Sequence, residues 1–351
     1  MTLVSVIIPT RDRVAELPQA IASVRMQSLD DWELLVVDDA SSDGIRERMA
    51  TIAEAEPRVR WIESDGISRG PSIRRNQGLA ASSGDFVVFL DSDDLLAPHA
   101  LASRLASFDR DPMAELAIGQ GMSFRDQPDE TGRLFNVLER GDALDRLLAG
   151  DMPWGTPSVM WRRRAIEAIG GWPKDLLRLE DVELHARALL RGLRFTAVDE
   201  VDWFVRLSPS DRLSKRVPDE DLLASDVRFF ERVEAELEAA GRSGARAKRL
   251  LTSRAYFLVI AYGRAGVGDL GLRLWHTLER EGFVSGVPSM MLKLAATRWP
   301  GTLRWPAMGL QAAWLHPILL RRRLLRHPAS QTQADAAARF GASLKAWGRD
   351  G

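Results

Sequence analysis

Three short apolar runs, each stopping at a cluster of polar or acidic residues, set the first constraint on the fold. Leu3–Pro9 (LVSVIIP), Glu33–Val37 (ELLVV) and Phe86–Leu90 (FVVFL) are rich in β-branched and aromatic residues, and each reads as a buried strand. Val59–Ile62 adds a shorter one. Between them, Val14–Met26 places Leu17, Ile21 and Val24 at helical spacing, with Asp12 available as a cap, and Ile45–Glu54 and Ser72–Ala81 are also helical. Apolar strands joined by helices predict an α/β fold with a mainly parallel sheet covered on both faces. Ligands bind such sheets at the carboxyl ends of the strands. Two acidic clusters, Asp38-Asp39 and Asp91-Ser92-Asp93-Asp94, fall at those ends.

The second cluster crowds three carboxylates into four residues, which repel one another unless a cation neutralises them. All-oxygen donors suit Mg²⁺ or Mn²⁺, with water and substrate phosphate completing the shell. The alternative is that these acids cap the helix beginning near Pro98 and face solvent. Asp38-Asp39 reads either as a turn former or as an acceptor for a base or ribose. Arg69-Gly70 and Arg74-Arg75-Asn76 precede the fourth strand, where guanidinium groups either pair with phosphate oxygens or form a solvated helix face.

Composition removes several other chemistries. The chain of 351 residues has no cysteine, which excludes disulfides, thiolate zinc sites and a cysteine nucleophile. Its five histidines are scattered, with no pair at the i, i+4 spacing of a helical zinc site. The net charge of −1 hides an asymmetry: from Gly241 to Pro328 there are 15 Lys+Arg against three acids, so the remainder carries −13. No signal peptide and no uncharged apolar stretch of membrane-spanning length is read from the sequence.

Together, SVIIPTRDR (5–13), LLVVDDASSDG (34–44), SIRRNQGLAASSGDFVVFLDSDD (72–94), RRAIEAIGGWP (163–173) and LEDVELHARALLRG (179–192) resemble a family 2 glycosyltransferase of the inverting GT-A type, over roughly residues 3–215. The resemblance implies a Rossmann-like GT-A domain at 1–217, with a nucleotide-binding half at 1–95 and an acceptor half at 96–217. It implies that Pro9, Thr10 and Arg11 line the nucleotide pocket, that Asp39 reads the nucleobase, and that Arg75 and Asn76 lie beside the nucleotide-sugar. Asp91 and Asp93 match the DxD signature for the metal and diphosphate. Glu180-Asp181 matches the ED motif, whose aspartate is the expected base, already ionised at neutral pH without a special shift. Taken alone, Glu180, Asp181 and Glu183 would read as acids favoured in a first helical turn.

By the same analogy Trp154 and Trp172 flank the acceptor, with core packing the alternative for both. Relatives carry a histidine or arginine after the ED helix. Here 196–215 has no histidine, which leaves Arg206 through its charge, or Ser210 through a hydrogen bond, to take that place. The implied reaction moves a sugar from a nucleoside-diphosphate sugar to a saccharide or lipid-linked acceptor, in polysaccharide or glycolipid synthesis. A nucleotidyltransferase would need a glycine-rich loop that IIPTRDRVAEL (7–17) lacks. The other rival is a catalytically silent, membrane-associated binding protein of the same fold.

Strand signals vanish beyond Pro218. Asp219–Ala240, Ala245–Ala265, Asp269–Glu281, Ser289–Arg298 and Leu303–Arg326 are helical by spacing or composition, giving a basic helical region over 218–328. Gly266–Gly271 spells GxGxxG, but no strand precedes it, and it reads as a turn between helices. Trp299–Arg326 combines three tryptophans with clustered arginines, which suits either an interfacial helix on the inner face of a membrane or a packed helix with a basic outer face. The basic charge gives no nucleic-acid module, and the expected location is cytoplasmic or peripheral to the membrane. The polar, alanine-rich 329–351 reads as a loosely ordered tail.

Overall fold

The computed structural model describes residues 4–128, 130–135, 137, 142–207, 217–287, 289–297 and 328–350. The expected Trp299–Arg326 helix and Ser210 lie outside the described residues.

Strands β1 (Val4–Thr10), β2 (Trp32–Asp38), β3 (Val59–Ile62) and β4 (Phe86–Phe89) alternate with helices α1 (Leu17–Arg25), α2 (Ile45–Ala55) and α3 (Pro71–Ala81). They form the parallel half of one sheet, in the order β3-β2-β1-β4. Every residue of β1 and β2 is buried, as strands covered on both faces require. On one side α3 lies so close to the sheet that a Cβ on Gly78 would meet Ile7 Cγ2 at 2.4 Å. That approach is what brings the arginines of α3 to the ends of the strands.

The second half of the sheet is mixed. Beyond β4 come β8 (Val159–Arg162), β6 (Leu116–Phe124), β9 (Phe195–Arg206) and the two-residue β5 (Leu95–Leu96), with β7 (Arg133–Leu134) paired to β6. β8 runs antiparallel to both β4 and β6, while β6 and β9 are parallel. Helices α4 (Ala100–Arg110), α5 (Ala143–Ala149), α6 (Arg163–Ala168) and α7 (Glu180–Leu190) fill the connections. In the rear, α8 (Glu220–Ala239), α9 (Ala245–Arg264), α10 (Gly268–Arg280) and α11 (Ser289–Ala296) follow the predicted spacing, and the GxGxxG segment is the turn from α9 into α10. One apolar core runs without a break from Ile7 and Phe89 of the sheet through Val182 and Leu184 of α7 to Phe229, Tyr256 and Trp275 of the rear helices.

Two expectations need correction. Asp12 does not cap α1, whose N-cap is Glu16. It adopts φ +49° instead, and its Oδ1 accepts from the Ser42 backbone N–H at 2.7 Å, tying the loop after β1 to the loop after β2. The tail is also not loose over most of its length, because Gln331–Asp350 forms a helix, α12. Alanine has the highest helix propensity, and Ala337, Phe340 and Leu344 make one apolar stripe at helical spacing. Phe340 stacks on Phe204 of β9 with ring centroids 5.3 Å apart, in a cluster shared with Ala22 of α1. Phe340→Ala should therefore lower unfolding free energy by about 3 kcal/mol in a denaturant titration, whereas a loose tail would give no change.

Candidate active site

The carboxyl ends of β1, β2 and β4 form the floor of the candidate site. The loops after β1 and β2 are fastened together: the Asp39 N–H donates to the Thr10 carbonyl at 2.8 Å, and the Val14 N–H to Asp43 Oδ2 at 2.6 Å. Asp39 is buried and accepts four hydrogen bonds. Its Oδ1 takes the Arg69 N–H at 2.7 Å and Arg74 Nε at 2.8 Å, and its Oδ2 takes Ser68 Oγ at 2.7 Å and the Gly70 N–H at 3.1 Å. Burial by itself would raise its pKa, but these donors outweigh it and hold the carboxyl below the usual aspartate range. Both oxygens are engaged, so a nucleobase would have to displace the Ser68–Gly70 backbone or side chain to reach Asp39. Arg11, on the outer side, donates to the same Ser68 hydroxyl at 2.7 Å. The sequence did not single out Arg74 and Ser68 as Asp39 partners, because they lie 35 and 29 residues further along the chain and no local pattern links them to it.

Pro9 and Thr10 end β1 and are buried. Thr10 Oγ1 and Ser72 Oγ, at the start of α3, are buried hydroxyls with no partner among the described residues. Buried hydroxyls are ordinarily hydrogen-bonded, so these two are exceptions at the strand ends.

The electrostatic centre is Arg75. Its guanidinium is buried; Nη2 donates to Asp91 Oδ1 at 2.7 Å and Nη1 reaches Glu180 Oε1 at 3.4 Å. Its guanidinium carbon stands 4.2 Å from the ring centre of Trp172. Desolvation works against the charge, but Asp91, Glu180 and Asp181 together more than offset it, so Arg75 stays protonated. Helix α7 brings the two acids there by beginning at Glu180, one residue after Leu179, which adopts φ +60°. Asp181 is crowded by protein and by like charge. Loss of solvation first, then the neighbouring Glu180, lift its pKa to about 6, against the lowering pull of a hydrogen bond from the Val182 N–H and of Arg75. The sequence expectation of an unshifted aspartate is corrected accordingly. One turn further along α7, His185 is stacked against Trp161 and kept neutral at physiological pH, because burial and Arg75 push its pKa down to about 3.

One cation therefore faces three carboxylates, a surplus of negative charge that a divalent ion would neutralise. Among the described residues no group of three His, Cys, Asp or Glu side chains is gathered as a metal cage. The donor chemistry fits Mg²⁺ or Mn²⁺ held by one or two carboxylates of Asp91 and Asp93, with diphosphate and water supplying the rest.

Four other expected site residues have different surroundings. The Asn76 side chain spans the Trp172 backbone, donating to its carbonyl and accepting from its N–H, both at 2.9 Å, and so fixes the turn before α7. Gly171 permits this, since it has φ +69° and a Cβ there would lie 2.6 Å from Asn76 Oδ1. Arg206 braces the acidic loop from below. Its N–H donates to Asp94 Oδ1 at 2.9 Å and its Nε to the Asp93 carbonyl at 3.0 Å. Trp154 and Trp172 are both buried, Trp154 against His185 and Phe195, Trp172 beneath Arg75 and against Phe89. The stacking on an acceptor sugar expected of these two indoles is corrected: their rings are core, with no face left over.

Comparison with known proteins agrees with this arrangement. Residues 5–170 match the model of Glycosyl transferase family 2. Over 103 residues the chain is 37% identical to a GalNAc(5)-diNAcBac-PP-undecaprenol beta-1,3-glucosyltransferase of Campylobacter jejuni, covering 29% of this chain and 33% of that protein. It is 37% identical over 122 residues to the poly(ribitol-phosphate) beta-N-acetylglucosaminyltransferase TarP of Staphylococcus aureus, covering 34% and 37%. The chain thus spans about a third of the length of each of these relatives. The structure superposes on S. aureus TarS 1–349 in complex with UDP with a TM-score of 0.58 at 18% identity, over 98% of this chain and 91% of that one. That likeness establishes a GT-A fold with a helical C-terminal region.

The shifted carboxyl carries a stability consequence. A folded-state pKa above the ordinary value means that Asp181 costs stability increasingly as the pH rises from about 4 to about 6, that the cost is full above about 6, and that it vanishes below about 4, where both folded and unfolded states are protonated. Asp181→Asn should therefore raise the unfolding free energy by roughly 1–3 kcal/mol at pH 8. The gain should fade towards pH 4 in a series of thermal or denaturant melts.

Proposed function

Starting from a chain whose residues 5–170 are a family 2 glycosyltransferase domain, we propose that it is an inverting transferase that moves a sugar from a nucleoside diphosphate to an acceptor hydroxyl, with Asp181 as the base. The observation that carries this reading is the convergence, on one buried arginine, of Asp91 from a strand end and Glu180-Asp181 from a helix start. In-line displacement at an anomeric carbon needs negative leaving-group oxygens on one side of the sugar and a proton acceptor on the other.

On the donor side, the nucleotide lies across the ends of β1 and β2. Pro9, Thr10 and Arg11 line it, Asp39 takes the nucleobase once the Ser68–Gly70 loop gives way, and Asn76 holds the wall. Arg75 and Asp91 face the diphosphate, and Arg206 fixes the loop that carries Asp91 and Asp93. Asp91 and Asp93 would hold a divalent cation, which would offset charge on the departing diphosphate. On the acceptor side, Asp181 accepts the proton of the attacking hydroxyl, and Glu180 keeps Arg75 oriented between the two sides. A base whose pKa lies near 6 is largely ionised at neutral pH yet more basic than an ordinary aspartate, which favours proton removal.

The named relatives point to the acceptor class. One is a glucosyltransferase acting on a PP-undecaprenol-linked saccharide, the other a poly(ribitol-phosphate) N-acetylglucosaminyltransferase. We carry over a polysaccharide or lipid-linked acceptor, with the protein working peripherally at the inner face of a membrane. Among the described residues no helix is long and apolar enough to cross one.

The test is thermal unfolding with Mn²⁺ and UDP, GDP, ADP, CDP or dTDP in turn. A ligand at a hundred times its Kd stabilises by about 2.7 kcal/mol, so one diphosphate should stand out, and only with metal. Asp181→Asn should keep that shift and lose transfer about a hundred-fold or more. The wild-type rate should climb as pH rises through about 6 and level off above it. Full activity in Asp181→Asn would remove the aspartate from the base role.

A further inference from the structure

Leu179, immediately before the paired acids, is a non-glycine residue in the left-handed region at φ +60°. Such a conformation is unfavourable for a residue with a Cβ and persists only where the surroundings impose it. Here they do so from the rear helices. Arg178 places Nε 2.7 Å from Asp226 Oδ1, and its Nη2 donates to Asp226 Oδ2, a two-point fork between the residue next to Leu179 and the middle of α8. The Leu177 N–H donates to Ser225 Oγ at 2.8 Å, so the neighbouring residue of α8 grips the same segment. Asp226 is buried at 1% exposure, and behind it the Tyr262 hydroxyl of α9 donates to Oδ2 at 2.8 Å.

A buried ion pair is a weak source of stability, because desolvation offsets most of the attraction. What a planar fork supplies is direction. The chain of contacts from Tyr262 through Asp226 to Arg178 ends one residue short of the strained position that launches Glu180 and Asp181. We propose that Asp226, backed by Tyr262, is a positioning residue for the transfer reaction: it fixes the 177–179 segment, and through it the place of the Asp181 carboxylate relative to Arg75 and the donor. Asp226 on α8 and Tyr262 on α9 then act on the reaction through the 177–179 segment, and the far end of α8 does not. The proposal rests on the transferase reading above.

The experiment uses the full chain with three substitutions. Tyr262→Phe removes only the hydroxyl behind Asp226, Asp226→Asn weakens the fork, and Leu237→Ala opens the core of the same helix away from the segment. For each, the readouts are calorimetric binding of the diphosphate chosen by the melting panel, with Mn²⁺, and steady-state release of that diphosphate from its nucleotide-sugar. Tyr262→Phe should lower kcat about three- to tenfold and Asp226→Asn about thirtyfold or more, with donor KM and diphosphate Kd within about twofold. Leu237→Ala should lower the melting temperature and leave kcat unchanged. Should Asp226→Asn fail to fold, Tyr262→Phe decides.

Full kcat in Tyr262→Phe and Asp226→Asn, or a fall in kcat that Leu237→Ala reproduces, overturns the positioning role while leaving the transferase reading intact. A wild-type protein that binds no nucleoside diphosphate and releases none from any nucleotide-sugar overturns the transferase reading, and this proposal with it.

Discussion

The buried guanidinium of Arg75 is the interaction on which the rest of the site depends. Without it, Asp91, Glu180 and Asp181 would be three carboxylates from distant parts of the chain, brought together against their mutual repulsion. With it, a strand end and a helix start about ninety residues apart in sequence are joined. Arg75 can serve because it is held on every side. Gly78 lets α3 sink onto the sheet, Trp172 covers one face of the guanidinium, and Asn76 locks the Trp172 backbone in place. A lysine in the same position would offer one point of charge, whereas the planar fork reaches two carboxylates at once.

The compensation is deliberately incomplete in chemical terms. Burial, together with one positive charge against three negative ones, leaves Asp181 with a raised pKa and the cluster with an excess of negative charge. Both properties come from one arrangement. They also explain why the site costs stability: desolvated carboxylates of like sign persist only because the surrounding packing is strong enough to hold them. That packing is the continuous apolar core running from the parallel strands into the rear helices.

Much of this was legible along the chain. The all-apolar strands, the helices between them and the acidic clusters at their ends follow from local composition, and the motif order pointed to the family that residues 5–170 match. The rear helices appeared at their predicted spacing, and the glycine-rich GxGxxG proved to be a turn. The misses have a common cause. Asp12 and the alanine-rich tail were assigned from residue type, the two tryptophans were left between an acceptor face and the core, and in each case a partner distant in sequence decided the outcome: Ser42, Phe204, His185 and Arg75.

By itself the sequence determined the class of sheet, which strand ends would be acidic and which carboxylates were available for chemistry, because these depend on side-chain character and short-range period. Only the tertiary structure decided what those groups are worth. It set the pKa of Asp181, filled the acceptor sites of Asp39, enclosed the two tryptophans and connected Asp226 to the residue beside Leu179. Desolvation, Coulomb interaction and hydrogen-bond saturation are fixed by which atoms lie within a few ångströms of one another, and in this protein those atoms come from segments far apart in the sequence.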